Sequence, residues 1–81
     1  MVTAFVLVNI DGKNVTEIAE DIQKSAGVRE VHLVAGEYDI VVVMRVNDNV
    51  ELSRLLTDEI IHTPGVMRTK TLVSLSGYSN E

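Results

Sequence analysis

Apolar residues gather in four short extended-looking runs and recur at helical spacing in two intervening stretches. Val2 to Ile10 is almost continuously apolar. Val2, Ala4, Val6, Val8 and Ile10 fall on one side of an extended chain, with Phe5 and Leu7 on the other, as in a central strand covered on both faces. Asp11-Gly12-Lys13 breaks the run. Val15, Ile18, Ala19 and Ile22 then repeat at i, i+3, i+4 and i+7, which predicts a helix over 15–26. Asn14 is placed to cap its start, with Glu17 three residues on, and Gly27 to end it in a left-handed conformation.

Gly27 to Val46 predicts two strands joined by the polar turn Gly36-Glu37-Tyr38-Asp39, because Val28, Val31, Leu33 and Val34 precede the turn and the β-branched run Ile40–Val43 leaves it. A second helical stripe follows in Leu52, Leu55, Leu56 and Ile60. Asp48 offers the cap and Glu51 the reciprocal third position. Thr63-Pro64-Gly65 terminates that helix, since proline lacks a donor and forces its predecessor out of helical geometry. A last strand is expected from Val66 to about Leu75, and 77–81 as a frayed tail after a single domain over 1–76.

The order strand, helix, strand, strand, helix, strand, with Ala26-Gly27-Val28 echoed by Pro64-Gly65-Val66, describes two similar halves. Folded together they give an α+β, ferredoxin-like βαββαβ domain: a four-stranded antiparallel sheet with both helices on one face. Phe5, Leu7, Val41 and Val43 would then lie on the face away from the helices. A contiguous apolar surface of that kind calls for cover, which a second copy's sheet supplies most simply. The chain length argues the same way, since 81 residues without a cysteine build a marginal core and gain no disulfide support.

Twelve acidic against seven basic residues give a net charge of −5, and the basic residues are dispersed along the chain. Direct nucleic-acid binding, which relies on clustered Lys and Arg, is not expected. No apolar run approaches the length of a membrane span and no signal peptide is legible at Met1–Val6, so no membrane association and a cytoplasmic location are expected. Cys-x-x-Cys, glycine-rich phosphate loops and exposed aromatic runs are absent from the sequence, and no metal or cofactor is expected. His32 and His62 have sufficient structural explanations as a strand residue and a helix-end cation, and neither has a legible nucleophile beside it. Glu37 and Asp39 alternate across a strand start and do not form an acid–base pair. What is left is polar groups at strand ends: Glu37, Tyr38 and Asp39 in the turn, and Thr69 and Thr71 on one face of the last strand. Such groups suit a small zwitterionic ligand, although β-propensity alone also accounts for the threonines.

The string Val-Ala-Gly-Glu-Tyr-Asp-Ile-Val-Val-Val over 34–43, followed by His-Thr-Pro-Gly-Val-Met-Arg-Thr-Lys-Thr over 62–71, resembles the effector-binding (RAM) domain of the Lrp/AsnC transcriptional regulators. The resemblance covers Thr3 to Leu75 and implies a non-enzymatic module that senses an amino acid and oligomerises. It implies sheet-to-sheet homodimers, further assembly into rings of dimers, and a ligand held where dimers meet. Carried over by motif, Gly36, Glu37, Tyr38 and Asp39 would line the pocket opposite Thr69 and Thr71, with Glu59 a further contributor. Family members carry an N-terminal helix-turn-helix. With its first strand at residue 2 this chain is expected to be a stand-alone version, with a full-length regulator of the same family as a co-assembly partner. Two alternatives are a small dimeric α+β barrel enzyme of the monooxygenase or isomerase kind, with His32 as the residue to test, and a purely structural interaction module.

Overall fold

The computed structural model describes residues 1–12 and 14–80; Lys13 of the predicted break and Glu81 of the predicted tail lie outside the described residues. In chain order the elements are β1 (Val2–Ile10), α1 (Val15–Gln23), β2 (Val28–Leu33), β3 (Ile40–Val46), α2 (Asn49–Leu55) with a π-helical turn (Leu56–Ile60) continuing it, and β4 (Val66–Val73). The strands form one antiparallel sheet in the order β2-β3-β1-β4, the expected ferredoxin-like arrangement.

The core lies between the sheet and the helices. Ala4, Val6 and Val8 of β1 and Ile40, Val42 and Met44 of β3 are fully buried beneath Ile22, Leu55 and Ile60. Each large side chain buried there contributes about 1.5–3 kcal/mol by removal from water. Alternation sends Phe5, Leu7, Val41 and Val43 to the opposite face. Because directly paired residues of an antiparallel ladder share a face, Leu72 and Lys70 of β4 join them, opposite Phe5 and Leu7. Phe5 is 37% and Leu72 48% exposed, so this second face is an uncovered apolar surface in the single chain.

Local signals account for most element ends. Asp48 caps α2 by accepting from the Glu51 amide at 2.8 Å, and Glu51 Oε1 accepts in return from the Asn47 amide at 2.8 Å. Asn14 makes no such bond: its backbone (φ −108°, ψ 68°) is not the extended geometry that aims a side-chain oxygen at the helix start. Helix α1 stops at Gln23, three residues earlier than the apolar repeat suggests. The Lys24 and Ser25 amides tighten onto the carbonyls of Asp21 and Ile22, and Gly27 (φ +85°) then turns the chain into β2. Gly65 (φ +93°) makes the equivalent turn into β4. A Cβ on Gly27 would stand 3.0 Å from Val46 and 3.1 Å from Leu55, so both backbone and packing call for glycine there. Strand β4 ends at Val73, where the Ser74 amide closes the ladder on the Thr3 carbonyl, rather than reaching Leu75.

The π turn was not predicted, and it resolves a spacing problem. Ile60 follows Leu55 by five residues, and at about 100° per residue an α-helix would carry it to the edge of the buried stripe. The wider π turn, closed by the Ile61 amide on the Leu56 carbonyl at 3.0 Å, advances roughly 80° per residue. Ile60 therefore comes round to the stripe's centre and is fully buried.

Candidate functional site

The segment 34–39 is a loop wider than a tight two-residue turn, closed by the Val34 amide donating to the Asp39 carbonyl at 3.0 Å. Its position is set by the end of β1. Strand β1 pairs with β3 only as far as Val8, so the groups beyond that point need other partners. The loop supplies them. The Asp39 amide donates to the Val8 carbonyl at 2.9 Å, and the Ile10 amide donates to Asp39 Oδ2 at 3.0 Å. Asn9 Nδ2 donates to the Glu37 carbonyl at 2.8 Å. Asn9 is 8% exposed, and its Oδ1 accepts from Arg68 of β4, from Nη2 at 3.2 Å and Nε at 3.4 Å. A chain of contacts thus runs from the loop through β1 to the far edge strand.

Within this frame Gly36 has φ +150° and open space where a Cβ would be, so it is needed for backbone shape and not for packing within the chain. Glu37 is exposed, and Tyr38 and Asp39 are half-buried. Thr69 and Thr71 pair with Val8 and Val6, which puts them half-buried on the helix-facing side of β4. Glu59 belongs to the helix layer, where Oε1 accepts from Ser25 Oγ at 2.6 Å beyond the end of α1. The structure therefore brings Gly36–Asp39 together as one loop. Among the described residues no hydrogen bond joins that loop to Thr69, Thr71 or Glu59.

Two open clefts are described, and no predicted site residue lines either. One, about 370 Å³, is bounded by Gly27, Arg29, Arg45, Glu51 and Leu55; the other, about 410 Å³, by Thr3, Phe5, Arg45, Ser74 and Tyr78. His32 Nε2 lies 2.7 Å from Glu30 Oε1 with both side chains more than half exposed, and His62 is exposed after the π turn. Among the described residues no group of three or more His, Asp or Glu side chains is placed to hold a metal ion, and no helix is long and apolar enough to cross a membrane. Asn9 and Arg68 are the loop's supports that sequence reading missed. The signal available was a lone amide side chain inside an otherwise apolar strand, between Val8 and Ile10.

These features define a class: a ferredoxin-like α+β domain whose polar groups collect on a loop at one end of the sheet. Residues 3–81 match the model of the Lrp/AsnC ligand-binding domain, and the chain belongs to that family. It is 41% identical over 82 residues to an uncharacterized HTH-type transcriptional regulator of Pyrococcus horikoshii, an alignment covering 98% of this chain and 55% of that protein. The chain spans about half the length of the curated relatives it matches, and those relatives are named as HTH-type transcriptional regulators. A Thermus thermophilus protein of known structure superposes with a TM-score of 0.90 at 39% identity, covering 99% of this chain and 100% of that one. The feast or famine regulatory protein of M. tuberculosis, solved in complex with L-methionine, superposes with a TM-score of 0.77 at 26% identity, covering 100% of this chain and 54% of that one.

Proposed function

We propose that this chain is a non-enzymatic amino-acid sensor whose pocket is completed only when chains assemble. Membership of a ligand-binding family carries the reading, and the L-methionine held by the M. tuberculosis neighbour supports an amino acid as the ligand class. The geometry favours a shared pocket: Gly36 opens onto free space, and the loop is hydrogen-bonded to the end of β1 but lines no cleft described in the single chain. In this reading the sheets pair face to face to cover Phe5, Leu7, Val41 and Val43, and loops from neighbouring dimers enclose the ligand. Backbone donors near Gly36 and a threonine hydroxyl hold the carboxylate. Asp39 holds the ammonium through the oxygen that does not accept from Ile10. Glu59 is less well placed, since Ser25 already engages it. A ligand bound at such a junction stabilises the assembly that completes its pocket, through differential affinity alone.

Calorimetry with L-methionine and then the other common amino acids tests this. A ligand at 100 times its dissociation constant adds about 2.7 kcal/mol of stability, and light scattering reports the linked change in mass. Gly36→Arg fills the open space and abolishes binding, while Gly36→Ala controls for backbone strain. Wild-type protein that binds no amino acid defeats the sensor reading. Unchanged binding by Gly36→Arg defeats the site assignment.

A further inference from the structure

Strand β3 leads from the loop at 34–39 to a second polar end of the sheet, about 20 Å away along its seven residues. There the 370 Å³ cleft opens between the Ala26-Gly27 turn, Arg29, Arg45 and the start of α2. Its volume falls within the range of small-ligand sites. The way β2 begins brings the two arginines to it. Val28 pairs with Met44 and Glu30 with Val43, so Arg29 is the extra residue of a bulge, a device that takes a side chain out of strict alternation. The Gly27 carbonyl accepts from the Arg45 amide at 2.8 Å, which fixes Arg45 beside the turn that leads to Arg29.

The local charge runs against that of the chain. The whole chain carries −5, whereas the charged side chains bounding this cleft are two guanidiniums and one carboxylate. Among the described residues neither Arg29 nor Arg45 makes a salt bridge. The carboxylate, Glu51, is occupied in the reciprocal cap, where Oε1 accepts from the Asn47 amide. The amides of Ala26 and Gly27 also border the cleft and find no acceptor among the described residues. Bidentate contact from two guanidiniums alone fills the roughly four acceptor sites of a carboxylate. The three oxygens of a phosphate group accept from both forks and from the amides as well, and its charge of about −1.5 to −2 suits two cations. Ala26, Val28 and Leu55 add an apolar wall for the carbon body that a monoester carries and free phosphate lacks. We propose that this cleft binds a phosphate monoester, gripped by Arg29 and Arg45 and by the backbone of Ala26 and Gly27. The site lies at the opposite end of the sheet from the loop at 34–39 and does not depend on the amino-acid reading of that loop.

Phenyl phosphate, inorganic phosphate and succinate serve as probes, titrated at one ionic strength and followed by two-dimensional amide NMR. Phenyl phosphate is expected to give saturable shifts at the Ala26, Gly27 and Arg29 amides and to bind more tightly than inorganic phosphate. Arg29→Gln and Arg45→Gln are each expected to weaken it by about tenfold, the loss of one charged hydrogen-bonding partner. Arg45 also borders the second cleft, so Arg29→Gln is the decisive variant. Binding weakened by Arg45→Gln but not by Arg29→Gln puts the anion elsewhere and overturns the site. Glu51→Gln keeps the cap, because glutamine accepts at the same position, and removes the opposing charge, so tighter binding is expected. Weaker binding by Glu51→Gln signals a cationic group on the ligand and overturns the phosphate assignment. Succinate binding as tightly as phenyl phosphate overturns it too, and equal affinity for inorganic phosphate overturns the ester. No shift at Ala26, Gly27 or Arg29 with any probe overturns the site itself. L-Methionine titrated in parallel reports on the loop at 34–39, so failure of either reading is seen separately from failure of the other.

Discussion

Replacing Asn9 by alanine tests the support of the loop directly. The substitution removes the 2.8 Å bond to the Glu37 carbonyl and the acceptor for Arg68 at 3.2 and 3.4 Å. A neutral hydrogen bond of this kind contributes about 1 kcal/mol net. The bond from Arg68 is charge-assisted, but the guanidinium is exposed and water replaces part of it, so about 1 kcal/mol is appropriate for it too. Asn9→Ala is thus expected to cost about 2 kcal/mol, which for a domain of this size lowers the melting point by roughly 8–16 °C. Urea unfolding followed by circular dichroism should show a lower midpoint at unchanged slope, at one fixed protein concentration because assembly also contributes stability. Arg68→Met alone should cost less than Asn9→Ala, and the double variant less than the sum, because both singles break the same contact. A loss below about 0.5 kcal/mol for Asn9→Ala, or strict additivity with Arg68→Met, would refute the linkage drawn from loop to edge strand.

Two further substitutions probe the local signals that end the helices. Gly65→Ala is expected to cost about 1–3 kcal/mol, since φ is +93° and the added Cβ meets Ile18 Cδ1; a thermal melt matching wild type would show that the turn relaxes freely. Asp48→Ala should cost about 1 kcal/mol by freeing the Glu51 amide, and an unchanged urea midpoint would mean that water replaces the cap without loss.

The parts of the fold legible in the sequence are those governed by short-range chemistry. The alternation in β1, the Asp48–Glu51 reciprocal cap and the two glycines that turn helix into strand each depend on neighbours a few residues away, and each stands as expected. Asn9 stood out in its strand, but what it holds was illegible because its partners lie 28 and 59 residues distant. The threonines show a subtler limit. Val66 pairs with Ile10 and packs on the core, so plain alternation from Val66 would send Thr69 and Thr71 to the open face. The register shift between Asn9 and Ile10 inserts one extra residue, Met67, and exchanges the faces beyond it. That bulge, a property of pairing and not of composition, puts the threonines on the helix side and Arg68 and Lys70 on the open one. The loop at 36–39 was found in the sequence by its residue types, but the way it is held depends on where β1 outruns β3.

The π turn at the end of α2 also decides where a charge resides. In uninterrupted α-helical phase, Glu59, four residues after Leu55, would fall at the centre of the stripe that faces the sheet. An unpaired carboxylate there would cost several kcal/mol or be forced to take up a proton. The slower winding turns Glu59 aside to meet Ser25 and delivers Ile60 in its place. Leu56–Ile60 thus acts as a phase correction. It lets a sequence whose hydrophobic repeat slips by one residue keep its carboxylate wet and its core dry, with no loop to absorb the slip.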